Sequence, residues 1–479
     1  MARVLGVAFG PLATEVEVRD AGSGALVSRG RARHADLGPA VDVDDPTAWW
    51  RSLVAAVAQA GEREVAAISV CGSHPGLVLL DGAGAVLRPL VPWDGAEGER
   101  HAARLRQTLG AERWARLAGF LPDGLTPLTR LVGLHRQDPD VLARASAVLL
   151  PHEWLTYRLA GRRVTDRGSA SLSGAWSPTA EAWIPEALGA LGDPAEWTSR
   201  LPEVLGPEEP ADWLTAAVYD LLGLRGRPLV APGTGEAMAV ALALGLGPGE
   251  AAVWLHERTT VLAGLDRAVA DPRGRVRSRA DATGRHLALV DAPGGAATVQ
   301  VVAHLLGIAV DDLGHLAVSR PFAADDPLLV AGVAGRSGAV LTGLGQGVDR
   351  PALARAAFAG VACAALEGIE ALVDSGATAI GVPRCVAGAV PALEAHGQLL
   401  ATLADRAVVA ARGGAVAAAG ACVQAAAVLT GSPALEVARA WALGAGPTLE
   451  PSGDPLRQSV RLAHAEERAR QTRALIETT

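Results

Sequence analysis

Charged and apolar residues alternate with period two through TEVEVRD at 14–20, directly after the apolar run RVLGVAFG at 3–10. Joined by Gly10-Pro11, the two stretches predict a pair of strands and a tight turn. The turn signal DAGSG leads to ALVSRGRAR, a third strand, and the apolar spacing of PTAWWRSLVAAVAQAG predicts a helix over 46–61. EVAAISVCG and GLVLLD read as further strands, with Asp81-Gly82 as a turn. Residues 97–120 and 128–150 predict mostly helix, and 151–180 short helical and loop pieces. After the break GLGPGE at 245–250, AAVWLHERTTVLAGLD repeats the opening logic of strand, polar turn and strand. Helices are expected near 296–307, 350–374, 391–404 and 415–430, with TAIGVP as a strand between the second and third. The final segment, from DPLRQSV onward, predicts a charged helix whose charge run is a solvated face. Strands and helices alternate in two related halves, so the pattern predicts an α/β protein of two domains, 1–246 and 247–479.

The chain has 479 residues, and a prior of roughly 150 residues per domain allows two to four domains. Half the residues are hydrophobic, which suffices for large cores. Lys and Asn are absent, so every strong base is Arg; a Schiff-base lysine, a P-loop lysine and a catalytic asparagine are excluded. The net charge of -8 comes from interspersed acids and bases with no basic stripe, which argues against nucleic acid as a partner. Cys71, Cys363, Cys385 and Cys422 stand far apart and form no CxxC, as expected of reduced apolar thiols. The N-terminus runs straight into a strand pattern rather than a signal peptide. The Ala-rich runs fall short of the ~20 residues of a membrane span. A cytoplasmic protein with no membrane association is expected.

ISVCGSHPGLVLLD (68–81), VLLPHEWLTYRLAG (148–161), GTGEAMAVALALG (233–245), ALARAAFAGVACAALEGIEAL (352–372) and AGAVPALEAHGQLLATLADRAV (387–408), in their order and spacing over nearly the whole length, resemble the FGGY carbohydrate kinases, nearest the xylulokinase branch. ISVCGSHPGLVLLDGAGAVLRPLVPWD (68–94) resembles the family's substrate loop between strands, and VLLPHEWLTYRLAGRRVTDRGSAS (148–171) resembles its LLPKDYLRYRLTG and TDYSDAS segments. GTGEAMAVALALG (233–245) resembles the Gly-Gly-Asp-Asn-Ala-Ala segment that carries the catalytic aspartate. ALARAAFAGVACAALEGIEAL (352–372) resembles the LARAVLEGVAFAL helix, and AGAVPALEAHGQLLATLADRAV (387–408) resembles part of the adenosine site. The resemblance implies two ribonuclease-H-like domains of the actin-like ATPase or hexokinase type, with an interdomain cleft. It also implies ATP and magnesium mainly against the second domain, a sugar or polyol mainly against the first, and often a homodimer. The implied reaction moves the γ-phosphoryl group of ATP to a sugar hydroxyl, chemistry that rests on positioning and charge neutralisation.

Glu236 occupies the catalytic aspartate's place, with its carboxylate about one C–C bond, ~1.5 Å, further from the backbone. Two readings stay open for it: the general base, or an acid favoured at a helix start by the macrodipole. The family's first phosphate hairpin, Asp-x-Gly-Thr-Ser or Asp-x-Gly-Thr-Thr, becomes Ala8-Phe9-Gly10-Pro11-Leu12, in which only Gly10 survives. In the second, Gly-Thr-Ser-Gly becomes His256-Glu257-Arg258-Thr259; Arg258 could meet a phosphate or pair with Glu257. On the sugar side the resemblance points to Ser73, His74, Trp93, Asp94 and Asp166; His74 and Trp93 could line a small polar cleft, although a lone His or Trp near a strand end is more often a packed, hydrogen-bonded core residue. Glu97 stands where the family has Arg. Gly388 and Ala389 match the adenosine segment, and the family's GERTP-like stretch, expected before 339, is shortened to GVAGRSG (332–338). The losses cluster in the phosphate-binding parts, which implies a kinase of weakened activity; the alternative is a pseudokinase that binds a small molecule or a protein.

Overall fold

The computed structural model describes residues 2–38, 44–72, 76–90, 95–332, 338–377, 383–387, 390–411 and 416–476. Two compact units emerge. The first joins Met1–Leu246 with Leu265–Ala288 and Ala415–Leu443; the second joins Gly247–Gly264, Leu289–Gly414 and Gly444–Thr479.

In the first unit the predicted hairpin forms as drawn from its alternation. Arg3–Phe9 pairs antiparallel with Ala13–Asp20, which pairs in turn with Leu26–Arg33. On its other side Arg3–Phe9 runs parallel to Ala67–Gly72. Beyond that strand lie two short parallel additions, Leu229–Val230 and Thr234–Gly235. The odd positions Leu5, Val7 and Phe9 share one core with Trp49 and Leu53 of the helix Pro46–Ala60. That helix is started by Asp45, whose carboxylate accepts from the Thr47 N–H at 2.8 Å, with Pro46 in its first turn.

The opposite face of the sheet receives the Ala-rich helix Val416–Thr430, which also lies against Glu236–Leu244. Small side chains let these backbones come close. A Cβ added at Gly420 would lie 1.8 Å from the Ala239 carbonyl oxygen, so only glycine fits there.

The 128–150 stretch departs from its helical expectation at one end. Helices Pro127–Gln137 and Pro139–Arg144 are followed by a strand, Ala147–Leu149, paired antiparallel with Val78–Leu80. The four apolar residues between Ser146 and Pro151 are too few for a helix, and Ala147–Leu149 bury fully as a strand. Pairing with Val78–Leu80 thus overrides the local helical expectation at this end.

The second unit is built on the hairpin Ala251–Leu255 and Thr259–Leu265. Ala251–Leu255 continues parallel to Arg384–Ala387, and this strand to Val408–Ala411. The predicted strand TAIGVP falls largely on 378–382, outside the described residues. Helix Arg350–Asp374 starts at Asp349, which accepts from the Ala352 N–H at 2.8 Å. By length and hydropathy it could cross a membrane, yet 78% of its most apolar window is buried inside the protein, the signature of a core helix.

The C-terminal helix Arg457–Ile476 corrects another expectation: its charges are not all solvated. His464 is buried with Nδ1 3.3 Å from Glu367, Arg468 meets the same carboxylate at 2.8 Å, and Arg461 pairs with Glu370. The charged run docks this helix on Arg350–Asp374. Cys71, Cys363 and Cys422 are buried and unbridged, as small apolar residues should be.

Candidate active site

The turn that carries Glu236 is held from two sides. Thr234–Gly235 extends the sheet beside Cys71–Gly72, and Glu236 is the first residue of the helix that follows. Gly233 has φ +81 and an added Cβ would sit 2.6 Å from the Val70 carbonyl oxygen, so the turn requires glycine. Gln424, fully buried in the middle of an apolar helix, donates from Nε2 to the Gly233 carbonyl at 2.9 Å. Its Oε1 accepts from the Ser69 hydroxyl at 2.5 Å. One amide therefore ties strand, turn and helix together.

Asp166 holds the turn from the other side. It ends the strand Val164–Asp166 and caps the helix Arg167–Leu172, accepting from the Ser169 N–H at 2.8 Å. Its second oxygen accepts from the Thr234 hydroxyl at 2.7 Å. Burial raises its pKa, opposed by these hydrogen bonds.

Next to it lie two titratable residues that sequence reasoning passed over. His152 is buried with Nε2 2.9 Å from the Ser169 hydroxyl, and burial pushes its pKa down to about 4. Glu153 accepts from the Leu150 N–H at 2.7 Å and from the Thr165 hydroxyl, and burial pushes it up to about 7. The signal was present in PHEW: two ionisable residues opening a helix in an otherwise apolar neighbourhood.

Glu236 itself is half-buried at the helix start. Its charge adds to the burial that pushes the Cys71 thiol well up, so Cys71 is a protonated neighbour and no nucleophile. Of the other residues singled out on the sugar side, Ser73, His74, Trp93 and Asp94 lie outside the described residues. Gly72, directly before Ser73 in the chain, ends the strand that flanks Thr234–Gly235.

The first hairpin turn is closed by the protein's own groups. Gly10 donates to the Ala13 carbonyl at 3.1 Å, and His34 takes the Leu12 carbonyl at 2.9 Å and the Pro11 carbonyl at 3.1 Å. Phe9 stacks on His34 at 5.6 Å and lies tilted against Trp49 at 5.1 Å. Ala8 to Leu12 offer neither carboxylate nor hydroxyl, and Pro11 has no N–H. Among the described residues, no group of three or more His, Cys, Asp or Glu could hold a metal ion. The turn Ala8–Leu12 therefore presents no side-chain oxygen to a magnesium ion.

In the second hairpin the turn is His256-Glu257-Arg258. His256 lies against Trp254 at 4.3 Å and its Nε2 is 3.1 Å from the Thr260 hydroxyl. Its carbonyl accepts from the Ala296 N–H at 2.9 Å, which engages the start of the helix Ala296–Leu306. Glu257 and Arg258 are exposed, and no ion pair joins them among the described residues. Thr259 is buried, its hydroxyl without a hydrogen-bond partner among the described residues. Gly388 and Ala389 are outside the described residues.

Residues 18–243 match the N-terminal domain of the FGGY family of carbohydrate kinases. The chain is 36% identical over 456 residues to the xylulose kinase of Streptomyces rubiginosus, covering 93% of this chain and 92% of that protein. The chain belongs to the FGGY family. The xylulose kinase of Streptomyces coelicolor is likewise 36% identical over 459 residues, again covering 93% of this chain and 92% of that protein. The solved xylulose kinase of Bifidobacterium adolescentis superposes with a TM-score of 0.81 at 26% identity, over 98% of this chain and 99% of that one. Gluconate kinase of Lactobacillus acidophilus shares the fold with a TM-score of 0.87 at 16% identity, over the full length of both chains. The FGGY chain described here is thus a xylulokinase-like carbohydrate kinase homologue with the α/β fold of the sugar kinases.

Proposed function

We propose that this chain phosphorylates a ketopentose or a related sugar or polyol from ATP, with Glu236 as the general base and with lower turnover than the xylulose kinases it resembles. The braced turn is the observation that carries the reading. Gln424 on Gly233 and Asp166 on Thr234 fix the backbone just before Glu236, as expected of a carboxylate that must meet one hydroxyl. In this reading Glu236 takes the proton of the attacking sugar hydroxyl. Asp166 acts through Thr234 as a positioning residue. Ser73, His74, Trp93 and Asp94 line the sugar side, and Arg258, Thr259, Gly388 and Ala389 lie on the nucleotide side. The closed first hairpin, with no metal donor at Ala8–Leu12, accounts for the reduced rate. The place of action is the cytoplasm.

The test is sugar-dependent ADP release by the purified chain across a panel of ketopentoses, aldoses and polyols. Turnover with a ketopentose above the other classes supports the reading. Preference for a different class overturns the substrate assignment.

A further inference from the structure

Arg355 presents an anomaly far from Glu236 in sequence. It stands on the helix Arg350–Asp374 at 3% exposure, and its Nε and Nη2 have no hydrogen-bond partner among the described residues. A buried guanidinium with open donors is costly unless something meets them. The nearest carboxylate, Asp326, lies 3.9 Å from Nε and is already engaged: it receives Arg320 at 2.6 Å and the Ala323 N–H at 2.9 Å. Phe322 places its ring 5.2 Å from the guanidinium carbon. Burial lowers the Arg355 pKa, and Arg320 lowers it further, while Asp326, Asp454 and Asp349 oppose both.

Arg355 lines a cavity of about 260 Å³ within the second unit, between Arg350–Asp374, the 322–329 segment and the C-terminal helix. His464 also lines it and is buried, its Nε2 without a partner among the described residues while Nδ1 faces Glu367. The remaining wall is largely apolar, including Leu329, Ala359 and Val460. Nε–H and Nη2–H form the side edge of a guanidinium, two parallel donors spaced for one carboxylate.

We propose that this cavity is a binding site for a small monocarboxylate with a short apolar body, its carboxylate seated on the Nε–Nη2 edge of Arg355 and its body against Leu329, Ala359 and Val460. The surrounding carboxylates of Asp326, Asp349 and Asp454 select for single charge. A phosphate dianion would meet their repulsion, and a neutral isostere would leave the charged edge unmatched. The site is independent of the kinase reading.

The experiment is isothermal titration of the full chain with benzoate and 4-methylpentanoate, alongside phenyl phosphate and benzamide. Saturable binding of either carboxylate, with the other two probes weaker, is the expected result. Arg355→Met should weaken it roughly tenfold to a hundredfold, the range for losing hydrogen bonds to a charged group. Ala463→Leu, on the half-buried helix face lining the cavity, should block it without touching Arg355; it decides the matter should Arg355→Met fail to fold. Absence of saturable binding by both carboxylates would mean a merely hydrated cavity and overturn the proposal. Equal binding in Arg355→Met or Ala463→Leu, or phenyl phosphate binding as tightly, would overturn it too.

Discussion

The Thr234 hydroxyl donates to the buried Asp166 carboxylate at 2.7 Å, two residues before Glu236. Through this bond a strand end that is distant in sequence sets where the helix carrying Glu236 begins. Thr234→Val keeps the shape and removes the donor. The expected outcome is a fall in kcat with little change in KM, because misplacement on the order of 1 Å can lower rate about a hundredfold. Stability should fall by about 1–3 kcal/mol, as for an unsatisfied buried acceptor. Steady-state kinetics and urea unfolding check both.

Gln424 braces the same turn through the Gly233 carbonyl and the Ser69 hydroxyl. Gln424→Leu leaves both groups without this partner in the core. A loss of about 1–3 kcal/mol is expected, read as a shift of the urea midpoint at unchanged slope. Ser69→Ala removes one donor and leaves the Gly233 bond, so its loss should be smaller.

How much of this was legible in the chain differs by level. The hairpins, the long helix 350–374 and the position of Glu236 followed from periodicity, turn residues and motif order. The strand Ala147–Leu149 did not, because its pairing with Val78–Leu80 is a long-range contact that local propensity does not encode. The braces of the site were hidden for a similar reason. Gln424 reads as one polar residue in an alanine run, and only the fold brings it to Gly233. His464 and Arg468 read as part of a solvated charge run, and only packing against Glu367 turns them inward.

The adjacent His152 and Glu153 give stability opposite pH dependences. Burial raises Glu153 to about 7 from 4.5, so the folded state holds its proton where the unfolded state has lost it. Its contribution is fully present below about 4.5 and is lost as pH rises towards 7. Burial lowers His152 to about 4 from 6.5, so its contribution is present above 6.5 and is lost as pH falls. Relative to the wild type, Glu153→Gln should therefore gain stability as pH rises from 4.5 to 7, and His152→Gln should gain as pH falls from 6.5 to 4. Chemical denaturation of the three proteins across pH 4 to 7 measures both differences.

The first hairpin offers a gain-of-function test. Ala8→Asp with Pro11→Thr returns a carboxylate and a hydroxyl to the turn while keeping Gly10 and the Phe9 packing. If the bare turn limits the rate, this pair should raise kcat on the order of tenfold and lower the magnesium concentration needed for half-maximal rate. Unchanged kcat would place the limitation elsewhere.

The most direct measurement compares wild type, Glu236→Gln and Glu236→Asp in coupled ADP release with a saturating ketopentose. Glu236→Gln should lose about a hundredfold or more in kcat, the range for a general base, while Glu236→Asp keeps measurable turnover. Turnover in Glu236→Gln equal to wild type, or no sugar-dependent ADP release by the wild type itself, would contradict Glu236 as the base of a working sugar kinase.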